Sequence, residues 1–158
     1  MTRLQCAFQD VFEKDMVGAG NTWSVQQLLD GTLESEQLEK LKQYINPLSI
    51  YDGWITALPS DVRLAVIVAG SHWKDDFPRS TEYILGVRSL FMGKGFDVQL
   101  KLGQYPDNDI MYASQARFFF QAGGGFSRLI GGLVRSMGGR VWCSDDHHGT
   151  GNCGRGRV

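Results

Sequence analysis

The chain has 158 residues and a formal net charge of −1, with 42% hydrophobic and 21% charged residues. This length predicts one domain with at most a small appendage, and the composition is ordinary for a folded globular chain. A nearly neutral chain without a basic, aromatic-interleaved patch is not expected to bind nucleic acid. No apolar run approaches the ~18 residues of a membrane span, and the first residues lack an apolar signal core, so we expect an intracellular protein, cytoplasmic or in an organellar lumen or stroma.

The first 62 residues are predicted to form a small helical segment followed by a connector. Residues 4–12 fit a strand and a short helix equally well. Residues 24–27, SVQQ, have capping-box spacing and predict the start of a short helix. Residues 34–45 carry an apolar helical face that ends before Asn46-Pro47. Residues 48–61 are interpreted as the connector.

Residues 63–143 alternate between strand and helix patterns. Strands are predicted at 64–69, 96–102, 117–121 and 140–143, and helices at 80–92, 109–116 and 127–137. This alternation predicts a parallel sheet with right-handed crossovers. The predicted fold class is therefore α/β: a Rossmann-like parallel sheet of about four strands with flanking helices, preceded by the small helical segment. The polar, glycine-rich residues 144–158 are predicted to be a flexible tail.

The chain is organised around the central motif Arg117–Val141, RFFFQAGGGFSRLIGGLVRSMGGRV, in which a strand is followed by three glycines and a helix. Glycines let backbone amides approach an anion, and a helix N-terminus favours a phosphate. The hydroxyl of Ser127 is a further candidate donor, and Arg128 follows it directly. The alternative interpretation is a structural turn, in which Ser127 only caps the helix and the glycines allow tight packing.

The loop after the first of these strands, GSHWKDDFPR, carries the most reactive side chains. His72 and Asp75 are candidates for a general acid and base acting on a sugar hydroxyl, and Lys74 for a phosphate contact. A solvated surface loop is the alternative. Asp107 and Asp109 are candidates for binding a ribose or sugar hydroxyl, although helix capping alone would explain both.

The cysteines and histidines near the C-terminus do not predict a metal site. Cys143, His147, His148 and Cys153 have the spacing C-x3-H-H-x4-C, which matches no closed zinc site. With Cys6 the chain has three cysteines, an odd number that gives no disulfide framework. A disulfide between residues 143 and 153 is not expected inside a cell.

Three motifs resemble the C-terminal, donor-binding half of GT-B glycosyltransferases, in particular the fucosyltransferase-like group. They are GSHWKDDF, PDNDIMYASQARFF and AGGGFSRLIGGLV, and the block that contains them covers about half of the chain. The resemblance implies inverting, metal-independent sugar transfer, with a nucleotide-diphosphate sugar as donor substrate and no cofactor. The resemblance implicates Asp109, Gly124, Gly125, Phe126 and Ser127, and more weakly His72. Lys74 and Arg128, which charge and position suggest, complete the candidate nucleotide-sugar-binding residues, and His72 and Asp75 are the catalytic candidates.

Two departures from this family leave other interpretations open. In place of the family's arginine, the first loop offers only Lys74, with Arg79 further along, and residues 1–62 are too short and too helical to be an acceptor domain. The chain is therefore expected to rely on a partner protein or a second domain, or to be a non-catalytic, degenerate α/β subunit or linker of a larger assembly. A third interpretation is a phosphate loop of the nucleoside-hydrolase or lysine-decarboxylase-like kind, but that loop needs a catalytic glutamate and none follows Gly125.

Overall fold

A computed structural model describes residues 3–8, 24–34, 46–69, 78–122 and 125–143. These ranges contain the strands β1 (Arg3–Phe8), β2 (Leu64–Ala69), β3 (Asp97–Leu102), β4 (Phe118–Gln121) and β5 (Arg140–Cys143). They also contain the helices α1 (Val25–Leu29), α2 (Leu48–Thr56), α3 (Pro78–Gly93), α4 (Pro106–Ser114) and α5 (Gly125–Ser136). The helix predicted at 34–45 and the tail predicted at 144–158 lie outside the described residues. None of the described helices is long and apolar enough to span a bilayer.

The described strands form one open parallel sheet in the order β3-β2-β1-β4-β5. The sequence predicts about four strands, and the fifth is β1, which lies at the centre between β2 and β4. In register, Arg3 is opposite Leu64 on one side, and Leu4 is opposite Phe118 on the other. Residues before and after position 62 therefore contribute to the same sheet, while the division into domains stays a prediction.

One face of the sheet is covered by α1, α2 and α3. Their buried side chains include Leu28, Tyr51, Trp54, Val87 and Phe91, which pack with Ile67, Phe118, Phe120 and Trp142 of the sheet. The prediction of a connector at 48–61 is wrong for α2. That helix is anchored by Trp54, whose ring centroid lies 5.1 Å from that of Phe120. It was missed because a nine-residue helix that contains a glycine has weak local signals, and tertiary packing supplies its stability.

Polar contacts fix α2 against α3. The hydroxyl of Tyr83 donates a hydrogen bond to the carbonyl oxygen of Asn46 (2.6 Å) and lies 3.1 Å from the hydroxyl of Tyr51. All three residues are buried. Because buried polar groups are costly unless paired, these contacts specify how the two helices dock.

The other face of the sheet is covered by α4 and α5, which lie side by side. Their apolar residues Ala113, Ile130 and Val134 pack on Val66, Val68, Phe119 and Val141 of the sheet. A Cβ on Gly131 would collide with the Gln121 side chain, and one on Gly139 would lie 2.5 Å from the carbonyl oxygen of Ala116. Tight packing of α5 on the sheet therefore explains Gly131, and the close approach of the turn after α5 to Ala116 explains Gly139.

Candidate functional site

The carboxyl ends of all described strands lie along one edge of the sheet because every described pair is parallel. The chain order reverses between the neighbours β1 and β4, so the connections after these two strands diverge. In open parallel sheets, ligands bind outside the strand ends at such a point. The helices α4 and α5 both begin at this edge, on the same face of the sheet.

Helix α5 places a buried, unpaired hydroxyl in its first turn. The helix begins at Gly125, so Ser127 is its third residue, and the prediction that Ser127 caps it is wrong. Ser127 is 1% exposed and its Oγ has no hydrogen-bond partner. The first amides of a helix have no intrahelical acceptor, so these backbone N–H groups are candidate donors beside the hydroxyl. Gly125 and Arg128 are exposed and Phe126 is half-buried, whereas Gly124 lies outside the described residues.

Helix α4 buries a carboxyl group in its first turns. The helix begins at Pro106, with Tyr105 as an N-cap that makes no side-chain hydrogen bond, so the predicted capping by Asp107 or Asp109 is wrong. Asp109 is 1% exposed, and its Oδ2 has no hydrogen-bond partner. Burial raises the pKa of the Asp109 carboxyl, and the positive charge of Lys101 acts against this rise.

A third unpaired oxygen belongs to Gln121, which ends β4. Its Oε1 is buried, has no hydrogen-bond partner and lies against Gly131 of α5. Gln121 was not among the site residues predicted from the sequence, although one polar side chain at the end of the strand FFFQ was a usable signal. Leaving a buried acceptor or donor unpaired costs about 1–3 kcal/mol, so each such group needs an explanation.

Three comparisons with known proteins found no relative of this chain. The chain matches no protein-family model, no curated protein and no solved structure. The likeness to GT-B glycosyltransferases therefore rests on the sequence motifs quoted above and stays an expectation.

The structure describes some of the predicted site residues and not others. His72, Lys74 and Asp75 lie outside the described residues, and their predicted roles stay predictions. Of the predicted residues that are described, Asp109 and Ser127 lie on neighbouring helices of one face. Arg128 is in the first turn of α5 and is exposed to solvent. The described residues contain no group of three or more metal-binding side chains.

Cys143 ends β5 at the same edge of the sheet and is disulfide-bonded. The expectation that the cysteines form no disulfide is therefore wrong for Cys143. That expectation came from the odd number of cysteines and from the expected intracellular location. Neither of them shows which thiols the fold brings together. His147, His148 and Cys153, the other members of the rejected zinc pattern, lie outside the described residues.

Proposed function

We propose that this chain is a nucleotide-sugar-binding, glycosyltransferase-like domain with a Rossmann-like sheet. The observation that carries the proposal is the set of three buried, unpaired side-chain oxygens, on Asp109, Gln121 and Ser127, on the face where α4 and α5 meet. The strand order β3-β2-β1-β4-β5 supports it, because doubly wound nucleotide-binding sheets share this order.

The chemistry of these groups favours a nucleotide sugar over a simple anion. The Ser127 hydroxyl and the first amides of α5 are donors that suit a diphosphate. The oxygens Asp109 Oδ2 and Gln121 Oε1 are acceptors, and a phosphate without protons has nothing to donate to them. Ribose and sugar hydroxyls are donors. A ligand that joins a diphosphate to sugar rings therefore matches both kinds of group.

Sugar transfer would use this geometry in one inverting step. An acceptor hydroxyl attacks the anomeric carbon, the bond from that carbon to the diphosphate breaks, and the helix amides stabilise the departing negative charge. His72 and Asp75 are the proposed acid and base, and Lys74 a proposed phosphate contact. The acceptor site would come from a partner protein or a second domain.

Calorimetric titration with GDP-, UDP- and dTDP-linked sugars tests the proposal directly. We expect saturable binding of at least one of them, and weaker binding of the matching free sugar and free nucleoside. Absence of heat and of saturation at millimolar concentrations of all three nucleotide sugars would refute it.

A second function, a non-catalytic α/β subunit of a larger assembly, is favoured by one observation. Asp109 and Ser127 are each only 1% exposed, so a ligand reaches them only if neighbouring groups move. A stable complex of the chain with another protein, together with the absence of nucleotide-sugar binding in that complex, would select this function.

A further inference from the structure

Lys101 lies on the same face of the sheet as the three unpaired oxygens. It is the second-to-last residue of β3 and is opposite Val68 in the register of β2 and β3. Val68 belongs to the core under α4 and α5. Since cross-strand neighbours in register point to the same face, Lys101 projects towards α4 near the carboxyl edge.

The ammonium group of Lys101 is held in place by an aromatic ring. Its Nζ lies 4.3 Å from the ring centroid of Tyr112, which is a cation–π distance. Tyr112 follows Asp109 by three positions on α4, a spacing that places two side chains on neighbouring parts of one helix face. Consistent with this proximity, the charge of Lys101 lowers the pKa of Asp109 against the effect of burial.

Lys101 has no ion-pair partner within the described ranges, in contrast with Lys94, whose Nζ lies 2.5 Å from Asp52 Oδ1. Lys101 is a half-buried residue, and a positive charge without an ion-pair partner gains from an anion that approaches it. A diphosphate that binds near the carboxyl group of Asp109 needs a positive charge to offset the repulsion between them. The position of Lys101 satisfies that requirement.

We propose that Lys101 is a phosphate-binding cation of this site, holding the diphosphate of the ligand while Asp109 accepts hydrogen bonds from its hydroxyls. This inference rests on the proposed function. It also accounts for the absence of an arginine from residues 70–77, GSHWKDDF, because β3 supplies a positive charge instead.

Calorimetric titrations of the full chain with a GDP-, UDP- or dTDP-sugar, with inorganic pyrophosphate and with the free nucleoside test this role. We expect Lys101→Gln to weaken binding of the nucleotide sugar and of pyrophosphate by roughly ten- to a hundredfold, the usual range for a charge-assisted hydrogen bond. Nucleoside binding should not change, and Lys101→Arg should restore most of the affinity. Lys94→Gln is the matched control, because it removes the same charge just before β3, at the opposite edge of the sheet.

The possible results separate this inference from the proposed function. If the nucleotide sugar binds and Lys101→Gln leaves its affinity unchanged, or weakens nucleoside binding equally, the role of Lys101 is refuted and the proposed function stands. If only pyrophosphate binds, and binding depends on Lys101, the role stands and the nucleotide-sugar function fails. If neither ligand binds the wild-type chain, both are refuted. A thermal melt of each variant checks that it is folded.

Discussion

Replacing Ser127 with alanine separates a functional hydroxyl from a structural one. The Oγ of Ser127 has no hydrogen-bond partner, and the residue is 1% exposed. In the folded state the hydroxyl has therefore lost its hydrogen bonds to water and has gained none in exchange. Removing an unsatisfied buried polar group should stabilise the fold by about 1–3 kcal/mol. For a chain of this size each kcal/mol raises Tm by about 2–4 °C. Urea unfolding and thermal melts measure this gain.

The same substitution should weaken nucleotide-sugar binding. A hydrogen bond from a hydroxyl to a charged phosphate contributes about 1.5–3 kcal/mol, which corresponds to roughly ten- to a hundredfold in Kd. Ser136→Ala is the matched control on the same helix, because that exposed hydroxyl lies 2.7 Å from the Leu133 carbonyl oxygen, to which it donates. The control should be slightly destabilised and should keep its affinity. A Ser127→Ala variant that is less stable than wild type would show that the hydroxyl is paired in the fold, and one that is more stable with unchanged affinity would remove Ser127 from the site.

Three further predictions follow from the buried and the open positions. Because burial raises the pKa of Asp109 in the folded state, protonation stabilises the fold at acidic pH and this contribution is lost as pH rises through the folded-state pKa. Asp109→Asn should therefore be more stable than wild type at neutral pH in urea unfolding, with the difference closing towards acid; a constant difference would contradict this. A Cβ on Gly125 or on Gly132 would meet nothing within 4 Å, so both alanine variants should fold. In calorimetry, Gly125→Ala should weaken nucleotide-sugar binding, whereas Gly132→Ala should leave it unchanged. Equal affinities of these two variants would contradict a close ligand approach at the helix start. Finally, the backbone of Cys6 lies two strands from β5, about 10 Å away, which is beyond the ~7 Å between Cα atoms that a disulfide can bridge. Peptide mapping under non-reducing conditions should therefore find Cys143 joined to Cys153. Any other pairing would refute this.

The sequence predicted the elements whose signals are local. The continuous apolar runs of β2 and β5 gave their bounds, and the capping box was visible in residue type alone. In the structure the amide of Gln27 donates to Ser24 Oγ (3.2 Å), and the amide of Ser24 donates to Gln27 Oε1 (2.7 Å). The central strand β1 was ambiguous because its six residues, RLQCAF, are too few to separate a strand from a short helix, and Ala7 breaks their alternation of polar and apolar types.

The site was predicted in part, and for partly mistaken reasons. Asp109 and Ser127 were predicted to be either ligand contacts or helix caps. Because α4 and α5 begin before these residues, neither of them is a helix cap. Gln121 and Lys101 were not singled out. Their importance depends on which face of the sheet each residue occupies and on the register between strands, and neither can be read from one sequence.

The space around the glycines of the central motif bears on both interpretations of that motif. Packing requires Gly131 and Gly139, where a Cβ would collide with a side chain or with backbone, so the structural explanation holds for them. It does not hold for Gly125, which has open space around it and no positive φ angle. A glycine that neither packing nor backbone conformation requires, placed beside a buried unpaired hydroxyl at a helix start, is what close approach of a ligand to the amides would demand. The motif therefore contains glycines of two kinds: packing confines Gly131 and Gly139, whereas Gly125 lies in open space at the helix start, where the proposed ligand would approach.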